Sequence, residues 1–504
     1  MRPRQLCSVV LGALLLWLAA LPAEAAGPRR TAHAARGTSV SAVLLRLRTA
    51  GALTDAAYRK DLAALVAARR SLGRLTGTRR AELGAVLANI EAIAASGGLS
   101  SSRTAALFVT LERNRDWWTT QPLLSNGERV SFAGSKLVWE YYAGQGLEIQ
   151  WLGTFGKANG YFLSGHENNN LRQLLAEAIP LASSRAGGIA WEYLFQFDGG
   201  RPPWTSGLSQ GTAIQVLARA WSRFKDPIYL AAAQKALGIF KTSPPSGVRV
   251  GTRAGAHYAE YTFAPSDRIL NGFIQALVGL YDYTSLTGDP LGLRLFEAGD
   301  AEARAEVPRY DTGGWSLYDQ YGESSLNYHE LLTEFLQHLC QRTRKGPPST
   351  TATPPSPAPP APGGPPAAGG PTTTGGGSAS AARRGSAAAA PAAPIAADQV
   401  YCTTAQRFSA DLKTPPAIAL LSRTLPGGAR AGVQISLSKI STVKLVVRQG
   451  GRVVWTNGAT VEQGRPRLLW VTPASGGTFT VTLTATDLAG NFSTANGTIV
   501  VRHR

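Results

Sequence analysis

The stretch SDRILNGFIQALVGLYDYTSL, residues 266–286, decides the fold. Its nearly unbroken apolar run predicts a long helix, with Tyr281 and Tyr283 packing into a core. Outward from it, helices are predicted at 101–113, 134–143, 169–184, 208–224, 227–241, 289–305 and 325–342. Loops dense in Gly, Trp, Tyr and Asn separate them. Repeated helix pairs with such loops at one end suit an (α/α) toroid-like domain over 101–345. In that architecture loops and helix ends line a central cleft.

The flanks read differently. Residues 38–97 are Ala/Leu/Arg-rich, with Val43, Leu44 and Leu47, then Leu62, Leu65 and Val66, then Leu83, Val86, Leu87 and Ile90 on i, i+3, i+4 faces. A small helical bundle is expected there. Residues 346–398 are almost entirely Pro, Gly, Ala, Ser and Thr, a composition that cannot offset the entropy of folding and predicts a linker. Over 413–504 the pattern has period two, and the runs 442–447 and 452–455 flank Gly450-Gly451 as a hairpin. This all-β segment predicts a sandwich, and Asp487-Leu488-Ala489-Gly490-Asn491 resembles the last hairpin of bacterial immunoglobulin-like modules.

Arg2 and Arg4 precede an apolar run from Val9 to Leu21, and Ala23-Glu24-Ala25 follows. This predicts a signal peptide over 1–25 and a secreted or cell-surface protein. No later stretch reads as a membrane span. The remaining cysteines, Cys340 and Cys402, would form one disulfide in an oxidising compartment; two unpaired thiols are the alternative. The six His are scattered and no HExxH occurs, so no metal site is expected. The net charge of +19 sits in the flanks: +9 over 27–110 and +10 over 346–504, against −1 over 111–345. Basic flanks favour anionic polymers or an anionic cell envelope. Export argues against nucleic acid.

The chemistry is expected between His257 and Leu336. Glu260-Tyr261, Asn271-Gly272-Phe273, Gly279-Leu280-Tyr281-Asp282, Tyr310-Asp311-Thr312-Gly313, Tyr318-Asp319 and Asn327-Tyr328-His329 follow one another. Upstream lies Trp204-Thr205-Ser206-Gly207-Leu208-Ser209-Gln210-Gly211. In order and spacing this succession resembles the C-terminal domain of D-glucuronyl C5-epimerases. Those enzymes convert D-glucuronate to L-iduronate within heparan-type polymers. The resemblance spans roughly 187–340. It implies catalytic roles for Glu260, Tyr261, Tyr318 and Tyr328, and substrate contacts by Trp204, Gln210, Asn271 and His329.

The implied reaction suits these residue types. The C5 hydrogen of a uronate is α to a carboxylate, so its removal gives a carbanion with enediolate character. Re-protonation from the opposite face inverts C5. This needs two acid–base groups and no redox cofactor. Acid–base groups alone supply about 10²–10⁴-fold. Even a modest enzyme needs about 10⁶-fold, so donors or cations must stabilise the enediolate. Tyr261 or Glu260 would serve as one base, and Tyr328 or Tyr318 as the acid on the other face. A Tyr acts as a base only if neighbours lower its pKa from about 10.

One departure concerns substrate binding. The family's Tyr-Asp-Leu-Arg segment reads Tyr318-Asp319-Gln320-Tyr321 here, without the Arg that would clamp the substrate carboxylate. Arg253, Arg268 and Arg309 are the candidates to replace it. A second cluster, Trp139 to Trp151 with Gly156 to Tyr161, combines aromatics, amides and glycines, and predicts that Tyr142, Gln145 and Lys157 line the cleft. The expected partner is an anionic uronate-containing polysaccharide. The rival readings are a uronate lyase, which would share the first proton abstraction, and a non-catalytic polysaccharide-binding protein.

Overall fold

A computed structural model describes residues 39–348 and 399–504. The expected signal peptide and nearly all of the expected linker lie outside the described residues.

The helical part begins with α1 (Val40–Thr49), α2 (Asp55–Leu72), α3 (Gly77–Ala95) and α4 (Ser101–Thr120). The Ser39 and Thr54 hydroxyls accept from backbone N–H groups in the first turns of α1 and α2. Helix α4 packs on both α2 and α3. One apolar core runs without a break from Val40 to Phe408, so the expected boundary near residue 97 does not interrupt the packing.

The expected helix over 134–143 is instead part of a small antiparallel sheet. It contains β1 (Arg129–Val130), β2 (Trp139–Tyr142) and β3 (Gly146–Ile149). Gly144 and Gly146 take φ of 78° and 88° and turn the chain between β2 and β3. The aromatic β-formers Trp139, Tyr141 and Tyr142 then pair with Ile149, Leu147 and Gly146. Helices α5 (Trp151–Ser164) and α6 (Asn168–Ala178) follow. The second ends before the predicted 184, and β4 (Ser183–Arg185) pairs with β5 (Gly188–Ala190).

The framework of the site is α7 (Gly207–Phe224), α8 (Pro227–Ala236), α9 (Gly238–Lys241), the hairpin β6 (Arg249–Gly251) and β7 (Ala256–Tyr258), α10 (Leu270–Thr287), α11 (Pro290–Glu306) and α12 (Leu326–Thr343). Helices α7 and α10 touch backbone to backbone. A Cβ on Gly279 would lie 2.1 Å from the Gly211 carbonyl oxygen, and one on Gly211 would lie 2.6 Å from the Ala276 Cα. Asp282 on α10 accepts from Arg219 and Gln215 on α7 and from Arg342 on α12, at 2.6–2.8 Å. The two guanidiniums hold its carboxyl far below the usual range despite burial.

A helix absent from the sequence reading, α13 (Val400–Asp411), packs along α12. Cys340 and Cys402 join the two helices in a disulfide with Cα atoms 4.9 Å apart. The C-terminal β-domain holds two sheets. One orders β13 (Arg467–Val471), β10 (Arg430–Leu437) and β8 (Ile418–Leu420). The other orders β12 (Arg452–Val461), β11 (Ser441–Gln449), β14 (Gly477–Asp487), β15 (Phe492–Val501) and β9 (Thr424–Leu425). Inward residues of both sheets, such as Val433, Trp470, Leu445 and Phe479, share one core. No helix among the described residues is long and apolar enough to cross a membrane.

Candidate active site

The site forms where the chain leaves β7. Backbone bonds from Gly207 N–H to the Ala259 and Glu260 carbonyls (3.1 and 3.2 Å), and from Thr262 N–H to Thr205 (3.1 Å), fix 260–262 against the start of α7. Gly207 permits this approach, because a Cβ there would lie 2.6 Å from the Ala259 carbonyl oxygen. Ser206 caps α7, and its hydroxyl also lies 3.5 Å from Glu260 Oε1.

The Glu260 carboxyl is buried, and its Oε2 has no hydrogen-bond partner. It presses on the first turn of α10, where a Cβ on Gly272 would fall 1.6 Å from Oε2. Burial pushes its pKa from 4.5 up to about 8, with a smaller opposing pull from Ser206. Beside it, Asn271 is buried with an unpartnered Oδ1. Buried polar atoms are normally satisfied, so both side chains depart from the usual pattern.

Three tyrosines face this carboxyl. The Tyr261 hydroxyl has no hydrogen bond among the described residues, and its ring stacks on Phe263 at 5.2 Å. Tyr318 sits in the loop between α11 and α12, and its carbonyl accepts from Leu270 N–H, the first residue of α10 (3.3 Å). Tyr328 lies in the first turn of α12, capped by Ser325. The Tyr318 and Tyr328 rings are 4.6 Å apart. All three hydroxyls are pushed up, first by burial and then by the charge of Glu260. Tyr328 rises least, to about 12. The tyrosines are therefore protonated at neutral pH, and Glu260 titrates closer to neutrality than they do.

Tyr193, which the sequence reading did not single out, extends the cluster. It donates to Gln150 Oε1 (3.4 Å), stacks on Trp204 at 4.2 Å, and feels the Glu260 charge. Its only signal in the sequence is the aromatic alternation Trp191-Glu192-Tyr193-Leu194-Phe195. Trp204 is buried, with its edge toward Tyr261 at 5.7 Å and its indole N–H bonded to the Phe195 carbonyl. Tyr142 packs on Phe195 at 4.6 Å, one aromatic layer further out. Gln145 Oε1 accepts from Gln196 N–H (3.2 Å) on that wall.

Three expected contact residues lie elsewhere. Gln210 is fully buried, and its amide clamps both backbone groups of Trp191. Lys157 donates to the Lys136 carbonyl (3.0 Å) and lies 5.9 Å from the Tyr161 ring. His329, the next residue of α12, is buried in the core. It stacks on Trp315 at 3.8 Å and bonds Ser316 and the Phe408 carbonyl. At the position of the absent family Arg, Tyr321 is 77% exposed and holds nothing. Arg253 and Arg309 are exposed, whereas Arg268 is half-buried with an unpartnered Nη1, close enough to influence His257, Glu306 and Tyr310.

The helical scaffold thus gathers one buried carboxyl and several phenols at the first turn of α10. Residues 186–351 match the family model for D-glucuronyl C5-epimerase C-terminus. D-glucuronyl C5-epimerase of Caenorhabditis elegans is 37% identical over 131 residues, 23% of this chain and 21% of that protein. An uncharacterized protein of Methanocaldococcus jannaschii is 29% identical over 151 residues, 29% of this chain and 49% of that one. The chain thus spans about a fifth and about half of these relatives' lengths. Among solved structures, an engineered protein gives a TM-score of 0.15 at 15% identity, over 70% of this chain and 75% of that one. A Cellulomonas fimi endo-beta-1,4-mannanase double mutant gives 0.13 at 11% identity, over 83% and 85%. Neither likeness bears on the fold.

Proposed function

We propose that the chain is a C5-epimerase of uronate residues in an extracellular polysaccharide of heparan type. The observation that carries the reading is the convergence of Glu260, Tyr261, Tyr318 and Tyr328 at the first turn of α10 within the family-matching segment. Ionised Glu260 takes the C5 proton, and the electron pair moves into the uronate carboxylate as an enediolate. Tyr328 returns a proton to C5 from the opposite face. The phenolate left behind is reprotonated through Tyr318, while Glu260 releases its proton. The step balances by proton transfer alone. Asn271 and Arg268 supply the polar groups that hold the uronate carboxylate and stabilise its charge. The N-terminus of α10 favours the anion at the same place.

In this reading the helical part is (α/α) toroid-like and the β-domain immunoglobulin-like. The protein is exported, and its basic flanks hold it near an anionic envelope or polymer. The test is deuterium exchange. The protein is incubated with glucuronate-containing polymers in D₂O, and C5 is followed by NMR alongside ultraviolet absorbance. Deuterium at C5 without unsaturated product is expected. Unsaturation would reassign the chain to β-elimination, and binding without exchange would remove the enzyme reading.

A further inference from the structure

A cavity of about 290 Å³ opens beside the candidate active site, lined by Arg103, Arg185, Arg201, Trp204, Thr262 and Phe263, with Pro203, Pro245 and Ser246 completing the wall. Thr262 and Phe263 directly follow Tyr261, and the Trp204 edge faces both Tyr261 and Phe263, at 5.7 and 5.3 Å. The cavity is thus one aromatic layer from the reacting groups.

Its charge is built in. Glu192 is fully buried and is shared by two guanidiniums: Arg103 grips both oxygens at 2.6 and 2.9 Å, and Arg185 reaches Oε1 at 2.5 Å. Arg103 also donates to the Gly98 carbonyl, and Arg185 to the carbonyls of Pro203, Pro245 and Ser246. Both are held rigidly. Arg201 is exposed on the rim and makes no hydrogen bond or ion pair among the described residues. Three guanidiniums therefore face one carboxylate, leaving a fixed excess of positive charge next to two aromatic rings. Arg103 comes from α4, outside the family-matching segment, so the cavity is assembled across that boundary.

We propose that this cavity is a flanking subsite for an anionic group, carboxylate or sulfate, on a sugar neighbouring the reacting residue of a polymer. Recognition rests on charge, because the ring faces of Trp204 and Phe263 already stack on Tyr193, Phe197 and Tyr261. Arg201 binds the anion, while the Glu192-anchored pair supplies the surrounding field. The proposal rests on the polysaccharide reading for the kind of ligand, but it is tested by binding rather than turnover.

The full-length protein is titrated by calorimetry at fixed ionic strength with three hexasaccharides. These are an unsulfated alternating glucuronate–N-acetylglucosamine, its N-sulfated counterpart, and neutral cellohexaose. Wild type should prefer an anionic ligand. Arg201→Ala should weaken that binding about tenfold, and Arg201→Glu further, as loss of a charge-assisted contact requires. Arg423→Ala, an exposed arginine of the β-domain, should change nothing. An effect on the unsulfated ligand assigns the anion as carboxylate; an effect confined to the sulfated ligand assigns sulfate. Wild-type-like affinity in both Arg201 variants, an equal loss in Arg423→Ala, or no preference over cellohexaose would overturn the proposal. Arg201-dependent binding without C5 exchange would sink the epimerase reading and leave the subsite standing.

Discussion

Glu260 sets the pH behaviour of the site. Its carboxyl ionises near pH 8 because it is buried, so the base form is scarce at pH 6 and abundant at pH 9. The kcat/KM profile should rise with an apparent pKa near 8, and Glu260→Gln should lose about 10²–10⁴-fold in C5 exchange. The same shift has a stability consequence. The folded pKa lies above the unfolded value, so the folded state binds more protons between pH 4.5 and about 8. This contribution is fully present below pH 4.5 and is lost as pH rises through 8. Thermal melts should therefore show Glu260→Gln gaining Tm relative to wild type at pH 9 and not at pH 4. Gly272→Ala places a methyl on Glu260 Oε2 and should depress kcat as well as Tm if Glu260 is the base, as proposed. Normal kinetics in that variant would show that Glu260 need not stay where it lies.

At the scale of elements, Asp282 shows why some motif residues were legible only as positions and not as roles. Gly279-Leu280-Tyr281-Asp282 belongs to the family pattern, yet its glycine seats α10 on α7 and its carboxylate ties α7, α10 and α12 together. Removing one partner of a buried ion pair costs about 3–5 kcal/mol. Asp282→Ala is expected to lower stability by that amount in denaturant melts, with residual activity falling because Tyr328 rides on α12. Glu260, Tyr261, Tyr318 and Tyr328, singled out by the resemblance, do lie together in the fold. Gln210 and His329 do not join them: whether a polar side chain on a helix faces the cleft or the core depends on the helix's rotation, which motif spacing does not report. The hairpin over 139–149 was missed for a local reason. Its glycines at 144 and 146 are turn signals, but the run Leu137 to Ala143 is apolar enough to pass for a short helix.

At the scale of the whole molecule, the β-domain docks against the loop that carries Tyr318. The period-two strands were legible, but their docking was not, since every contact that matters joins residues far apart in sequence. Glu323, in the loop between Tyr318 and Tyr328, accepts from the Ile440 and Gln463 backbone N–H groups at 3.3 and 2.9 Å. Lys439 lies over Trp315, which stacks on His329, and it pairs with Asp487 at 2.8 Å. Arg407 of α13 pairs with Asp311 at 3.0 Å. The Cys340–Cys402 disulfide, closing a separation of 62 residues, restrains the same junction. By the chain-entropy account a loop of that length corresponds to about 4 kcal/mol. Two perturbations of this junction should therefore separate stability from activity. Cys402→Ser should lower the melting temperature of the whole chain while leaving KM nearly unchanged. Glu323→Ala frees the loop without touching substrate. It should reduce kcat several-fold more than Thr442→Ala, whose hydroxyl bonds only Thr460 within the β-domain. Equal, small effects from both would mean that the loop holds Tyr318 and Tyr328 in place without the β-domain. A selective loss in Glu323→Ala would make that domain part of the catalytic architecture.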